Sequence, residues 1–161
     1  MTRRRTEGYF PRSDSDPAPL HVSVKRRVAL REVDAVAIVW HGRYADYFED
    51  AATELRRACG LTYADFRDAG LSAPIVQFHV DHHAPLVLDE EMTIRASLVW
   101  TGAARLNTEY EVLKDDGTTA AAGYSVQMLT DAVTGEPCLA PPPLLQRCLQ
   151  RWREGEFSCL Q

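Results

Sequence analysis

The sequence predicts an α+β domain in which an antiparallel sheet of about five strands wraps around one long central helix. Two observations carry this. Residues 44–58 hold a single apolar stripe at helical spacing, formed by Tyr44, Phe48, Ala51, Ala52, Leu55 and Cys59. After it come long segments that alternate at period two, with Met92, Ile94, Ala96, Leu98 and Trp100 on one face and Leu106, Thr108, Tyr110 and Val112 on another. A meander of such strands cannot bury a face alone, and the long apolar helix stripe is its natural filler.

The elements follow in order. Residues 21–32 alternate through Val22, Val24, Arg26, Val28 and Leu30 and read as the first strand, and 33–43 read as a mixed loop. In the helix, acids come early (Asp46, Glu49, Asp50) and Arg56 and Arg57 come late, which suits the helix dipole; Gly60 is a good stop. A short second helix is expected from Tyr63 to Ala69. Strands are expected at 74–84, 91–101, 104–113 and 118–130, with Asp116-Gly117 as a hairpin turn before the last. Residues 1–20, rich in Arg, Ser, Asp and Pro, read as a flexible arm. Pro141-Pro142-Pro143 marks the far edge of a domain at 21–142, and 143–161 read as a short helix, Leu144 to Arg153, and a tail.

At net charge −5 a general nucleic-acid binder is disfavoured, so any basic site for a phosphorylated ligand must be local. Arg43, Arg56, Arg57, Arg67, Arg95 and Arg105 are candidates for such contacts, each also readable as a solvated surface charge. No apolar run approaches the roughly 20 residues of a membrane span. Met1-Thr2-Arg3-Arg4-Arg5 leads into no apolar segment, so no signal peptide is expected and the cytoplasm is the expected location. Cys59, Cys138, Cys148 and Cys159 form no C-x-x-C pair and read as free thiols. No cofactor is expected. His79, Asp81 and His83 alternate along one strand face; a metal site there is weighed against a polar exposed face, and the latter is favoured.

Chemistry concentrates in Arg31-Glu32-Val33-Asp34-Ala35-Val36-Ala37-Ile38-Val39-Trp40-His41-Gly42-Arg43-Tyr44, continued by Ala45-Asp46-Tyr47-Phe48-Glu49-Asp50-Ala51. An acid, Asp34, lies on the loop after the first strand, and the main helix begins shortly downstream. A helix N-terminus presents unpaired N–H groups and partial positive charge, which stabilise a developing oxyanion. A carboxylate beside it can attack a thioester carbonyl or activate a water. An acid, an oxyanion site and water suffice for thioester hydrolysis without a Ser or Cys nucleophile. No G-x-S-x-G elbow is present, which excludes an α/β-hydrolase.

This segment resembles the 4-hydroxybenzoyl-CoA thioesterase family, and especially the Tol-Pal-associated acyl-CoA thioesterases, whose pattern reads roughly D-x-D-x-x-G-x-V-Y/W-H-x-x-Y and then Y-F-E-x-A-R. His82-His83-Ala84-Pro85-Leu86 is similar to the family's Y-x-x-P-L segment, Cys59-Gly60-Leu61 to its helix end, and Thr134-Gly135-Glu136-Pro137 to its exit from the last strand. The resemblance covers about residues 22–142. It implies a hotdog fold, a homodimer or homotetramer, and an acyl-CoA or acyl-carrier-protein thioester as substrate. It implies that Asp34 is the catalytic aspartate and His41 the histidine of the Tol-Pal-like branch, with a backbone N–H at or near His41 as oxyanion donor. Tyr44 matches a tyrosine that supports the helix entry. Trp40, Gly42, Arg43, Tyr44, Tyr47 and Glu49 are the expected substrate-binding residues, and Trp40, Tyr47, Phe66 and Phe78 are candidates to line an acyl tunnel. The chain departs from the pattern at Glu32 (Asp in the family), Ala37 (Gly), Arg43 (Asn) and Leu30 (Tyr).

Glu32 reads as a solvated strand-end charge, and Glu49 as a structural group or as the helix carboxylate that a second hotdog branch uses. The competing functions are a hotdog dehydratase or hydratase, disfavoured by the lack of an H-F-P loop, and a non-catalytic acyl-CoA or carrier-protein binding domain.

Overall fold

The computed structural model describes residues 8–160. Five strands form one antiparallel sheet in the order β1-β4-β5-β6-β3: β1 (Leu20–Arg27), β3 (Ile75–His82), β4 (Glu91–Val99), β5 (Arg105–Lys114) and β6 (Thr119–Met128). The sheet's inner face wraps α1 (Tyr44–Cys59), giving the hotdog architecture that the sequence predicts. The helix stripe is the core: Tyr47, Phe48, Ala51, Ala52, Leu55 and Cys59 are buried against Met92, Ile94, Ala96, Leu98, Leu106, Tyr110 and Val112. Gly60 ends α1 at φ 70°, where glycine carries no steric penalty.

Glycine is poor inside a strand, yet β6 places Gly123 at its centre. A Cβ there would lie 2.8 Å from the Phe48 ring and 2.1 Å from the His79 carbonyl oxygen. The missing side chain lets Phe48 stack flat on Tyr110, with ring centroids 4.4 Å apart, which seats α1 on the sheet.

Three boundaries differ from expectation. The first strand stops at Arg27 rather than 32. Val28 donates to the Glu90 carbonyl, and Leu30–Glu32 coil into a 3-10 turn whose Ala29 N–H is held by the Glu32 carboxylate at 2.9 Å. The last expected strand divides into β6 and β7 (Thr130–Asp131), and β7 pairs with β2 (Leu71–Ser72) in a separate two-stranded ladder. Tyr63–Asp68 form the expected short helix, α2, and the C-terminal helix α3 (Pro143–Arg153) does not stand apart: Leu144, Leu145, Cys148 and Trp152, with Phe157 beyond it, join the same core.

The N-terminal segment also differs from the expected flexible arm. Residues 1–7 lie outside the described part, but 8–19 run across the outer face of the sheet. Tyr9 and Phe10 pack on Tyr124, the Tyr9 hydroxyl donates to Asp81 at 2.6 Å, and Arg12 pairs with Glu109 at 2.6 Å. Trp152 Nε1 donates to the Ala18 carbonyl at 2.9 Å, tying this segment to α3. No helix among the described residues is long and apolar enough to cross a membrane.

Candidate active site

The loop bearing Asp34 is a compact turn. Val33 bridges Val39, the Asp34 N–H donates to the Ile38 carbonyl at 2.8 Å, and the Ala37 N–H donates to the Asp34 carbonyl at 3.0 Å. Asp34 Oδ1 accepts the Val36 N–H at 2.9 Å, the local bond that aspartate makes in turns, while Oδ2 has no partner among the described residues. The backbone therefore fixes the carboxylate through one oxygen and leaves the other without a partner among the described residues. Ala37 keeps the left-handed conformation of a glycine position, at φ 60°. An L-residue pays about 1–2 kcal/mol there, partly offset by its lower chain entropy when unfolded. Ala37→Gly is expected to stabilise the protein by about 0.5–1 kcal/mol, read as a higher urea midpoint at unchanged slope. A lower midpoint would show that the turn is relaxed with alanine.

The start of α1 is held from three sides. Val39 N–H donates to Leu86 O, Trp40 N–H to Glu32 O, and Arg43 N–H to Trp40 O, each at 2.9 Å. Tyr44 N–H caps onto His41 O. The amides of His41 and Gly42 have no acceptor among the described residues, so two adjacent N–H groups are free at the mouth of the helix. Trp40 packs on the Cα of Gly42: a Cβ there would meet its indole carbons at 2.2–2.7 Å. Gly42→Ala is therefore expected to push the indole aside and to lower kcat/KM by about tenfold or more, because small displacements of positioning groups are costly. Tryptophan emission should shift while the melting temperature changes little. Unchanged emission and turnover would show that the contact has no role.

Asp34, Ile38, Val39, His41, Tyr44, His82, His83, Ala84 and Pro85 line one open cleft of about 360 Å³. Two of the three walls are the Asp34 turn and the start of α1. The third is the end of β3, where His82 lies edge-on to the Tyr44 ring, 4.7 Å away with 85° between planes. Burial, and then the charge of Glu90, push the Tyr44 phenol above its ordinary range, so it stays a neutral hydroxyl.

The expected site residues thus divide. Asp34, His41 and Tyr44 meet at the cleft, whereas Trp40 and Gly42, which flank His41 in the chain, pack on each other and are not among its lining residues. Arg43 is turned to Asp46 and the Arg31 carbonyl. Tyr47 is fully buried, with its hydroxyl donating to Glu32 at 3.1 Å; burial and Glu32 push its pKa up strongly. Glu49 lies exposed on α1, paired with Arg56 and accepting from Thr53 on its own helix. Of the other candidate arginines, Arg57 pairs with Glu54, Arg67 with Asp68 and Arg95 with Glu111.

Glu32 corrects the sequence reading. It is 3% exposed, not solvated, and its carboxylate accepts from Arg26 at 2.7 Å, Ala29 N–H at 2.9 Å and Tyr47 at 3.1 Å. His83 also moves. Strand alternation places it with His79 and Asp81 on the outer face, but pairing ends at His82 and the N–H groups of His83 and Ala84 both donate to the Ala120 carbonyl. That turn sends His83 into the cleft with His82. His79 remains outside, bonded to Asp81 at 2.9 Å, and no group of three His, Cys, Asp or Glu among the described residues could hold a metal ion. The sequence offers His82 only within the Y-x-x-P-L resemblance, and His83 there and in the alternating His79, Asp81, His83 face, with no cleft role for either.

Residues 28–148 match the model of the thioesterase-like superfamily. An esterase-named protein of Aquifex aeolicus is 33% identical over 98 residues, covering 61% of this chain and 77% of its own. The L-carnitine dehydrogenase/betainyl-CoA thioesterase of Agrobacterium fabrum is 32% identical over 114 residues, 71% of this chain and 23% of that larger protein. The crystal structure of the DHNA-CoA thioesterase of Staphylococcus aureus superposes with a TM-score of 0.71 at 21% identity, covering 86% of this chain and 90% of the other. With its family model spanning both the Asp34 turn and the strand end that closes the cleft, the chain belongs to the thioesterase-like superfamily.

Proposed function

We propose that the protein hydrolyses acyl thioesters of coenzyme A or acyl carrier protein, with Asp34 as the catalytic carboxylate. One observation carries the reading: Asp34, with a free carboxylate oxygen, and His41, the first of two successive residues whose amides are free, line the same cleft. The thioester carbonyl oxygen fits at those amides, which gain strength as it becomes an oxyanion. Asp34 then acts by one of two balanced routes. As nucleophile it forms an acyl–oxygen bond and the carbon–sulfur bond breaks; water cleaves the resulting anhydride, restoring the carboxylate, and a proton passes to the thiolate. As base it takes a proton from water, the hydroxide adds to the carbonyl, and the proton passes to the departing thiolate. Either route converts thioester and water to acid and thiol. The thioesterase names of the relatives support the reaction class, and the Tol-Pal-like motif with His41 supports the branch.

The reading includes a homodimer. β3 is an edge strand with β6 as its one neighbour, and Ile75, Val76 and Phe78 on it are half-exposed, a surface that a second copy would cover. Sedimentation should give a dimer or larger assembly; a stable, active monomer at micromolar concentration would refute it. The free cysteines suit a reducing cytoplasm.

The direct test is thiol release by purified protein across an acyl-CoA panel of varied chain length, followed by the same acyl groups on carrier protein. Enzyme-dependent release of thiol and acid is expected. Tight binding of acyl-CoA without turnover would favour the non-catalytic binding domain.

A further inference from the structure

The chain has five histidines, and His41, His82 and His83 line one cleft. All three are exposed, and their side chains have no hydrogen-bond partner among the described residues. Hydrolysis as described above uses Asp34 and backbone amides, and it leaves the His82 and His83 imidazoles without a task. Their positions are fixed. His82 is braced edge-on by the buried Tyr44 ring, and His83 is held by the paired N–H bonds to Ala120. They form the wall contributed by β3, whereas Asp34 and the free amides belong to the other two walls.

Space limits the acyl group. The gap between α1 and the sheet, lined by Ala52, Leu55, Cys59 and Leu106, has a volume of about 10 Å³, room for a water at most. That void lies at the far end of α1 from the cleft, so the space beside the Asp34 turn is the cleft itself. The apolar lining of the cleft is short: Ile38, Val39, Ala84 and Pro85. An open cleft of about 360 Å³ with two unused N–H donors on one wall suits a small acyl group with an acceptor at its far end. A carboxylate is the acceptor that imidazoles bind best, because the bond is charge-assisted and an imidazole that takes up a proton adds attraction.

We infer that the cleft selects short acyl groups ending in a carboxylate, the mono-thioesters of small dicarboxylic acids, through the imidazoles of His82 and His83. This rests on the hydrolase reading and deepens it. Lys114, which donates to the Pro85 carbonyl beside this wall, is paired with Glu90 at 3.0 Å and leaves the histidines as the unpaired donors.

The test compares glutaryl-CoA with valeryl-CoA, which match in chain length and differ in the terminal carboxylate. Wild-type protein is expected to favour glutaryl-CoA by roughly tenfold or more in kcat/KM, the worth of one charge-assisted hydrogen bond. In His82→Asn/His83→Asn that ratio should fall toward one, through a raised KM for glutaryl-CoA. The same ratio measured on N-acetylcysteamine thioesters, which lack the nucleotide phosphates, should fall alike. A ratio near one in the wild type, or one that survives the double substitution, overturns the inference. So does a loss seen with CoA thioesters alone, which would assign the histidines to the nucleotide. These outcomes leave the hydrolase standing. Failure to hydrolyse any thioester in the panel would remove the hydrolase reading itself.

Discussion

Asp34→Asn is expected to lower kcat by about 10²-fold or more, the usual loss for a general base or nucleophile. The substitution suits the site. The side-chain oxygen that accepts the Val36 N–H survives in asparagine, so the turn that carries residue 34 keeps its local bond. What disappears is the charge and the free oxygen facing the cleft. Binding of a non-hydrolysable acyl-CoA analogue should persist, because the amides of His41 and Gly42 and the β3 wall are untouched. His41→Ala should cost less than Asp34→Asn where the oxyanion donor is the backbone N–H. Glu49→Gln serves as the control for a helix carboxylate, and Glu49 is already engaged by Arg56 and Thr53. The measurement is the rank order of the three variants at saturating substrate. An Asp34→Asn protein near wild-type kcat beside an inactive Glu49→Gln protein would overturn the assignment and leave the fold intact.

Local periodicity wrote the frame into the sequence. The stripe from Tyr44 to Cys59 and the alternation of 91–101 and 104–113 reflect elements whose burial is decided by one face each, so a window of residues suffices to read them. The Asp34 segment was legible because turn, helix mouth and carboxylate are contiguous. What escaped depends on partners distant in the chain. Glu32 continues an alternating pattern, and only Arg26 and Tyr47 closing over it make it a buried group. His83 continues another, until Ala120 takes two N–H groups and rotates the chain. Tyr9 and Phe10 sit in a polar segment whose composition says disorder; their anchor is a row on the outer face, Glu109, Tyr124 and His79, assembled by the β5–β6–β3 register. No local pattern encodes that row.

Glu32→Ala is expected to be the most destabilising single change near the site, by about 3 kcal/mol. The carboxylate joins three separate parts of the chain: Arg26 at the end of β1, the Ala29 N–H at the following turn, and the Tyr47 hydroxyl on α1. Arg26 also lies over the Tyr47 ring, 5.0 Å from its centroid, and pairs with Asp50. Removing the carboxylate leaves a buried phenol and an amide without an acceptor, and half of Arg26's charge compensation goes with it. The loss stays near 3 kcal/mol rather than at the upper limit for a buried pair, because Arg26 is 25% exposed and keeps Asp50. For a chain of this length that corresponds to a melting temperature lower by roughly 6–12 °C. Tyr47→Phe removes one of the three bonds and should cost about 1 kcal/mol, which sets a rank order that a general packing effect would not reproduce. Because the Glu32 carbonyl also accepts the Trp40 N–H at 2.9 Å, loosening this turn should lower kcat as well, by less than Asp34→Asn does. A Glu32→Ala protein melting within 2 °C of wild type would show that the buried carboxylate does not hold β1, the turn and α1 together.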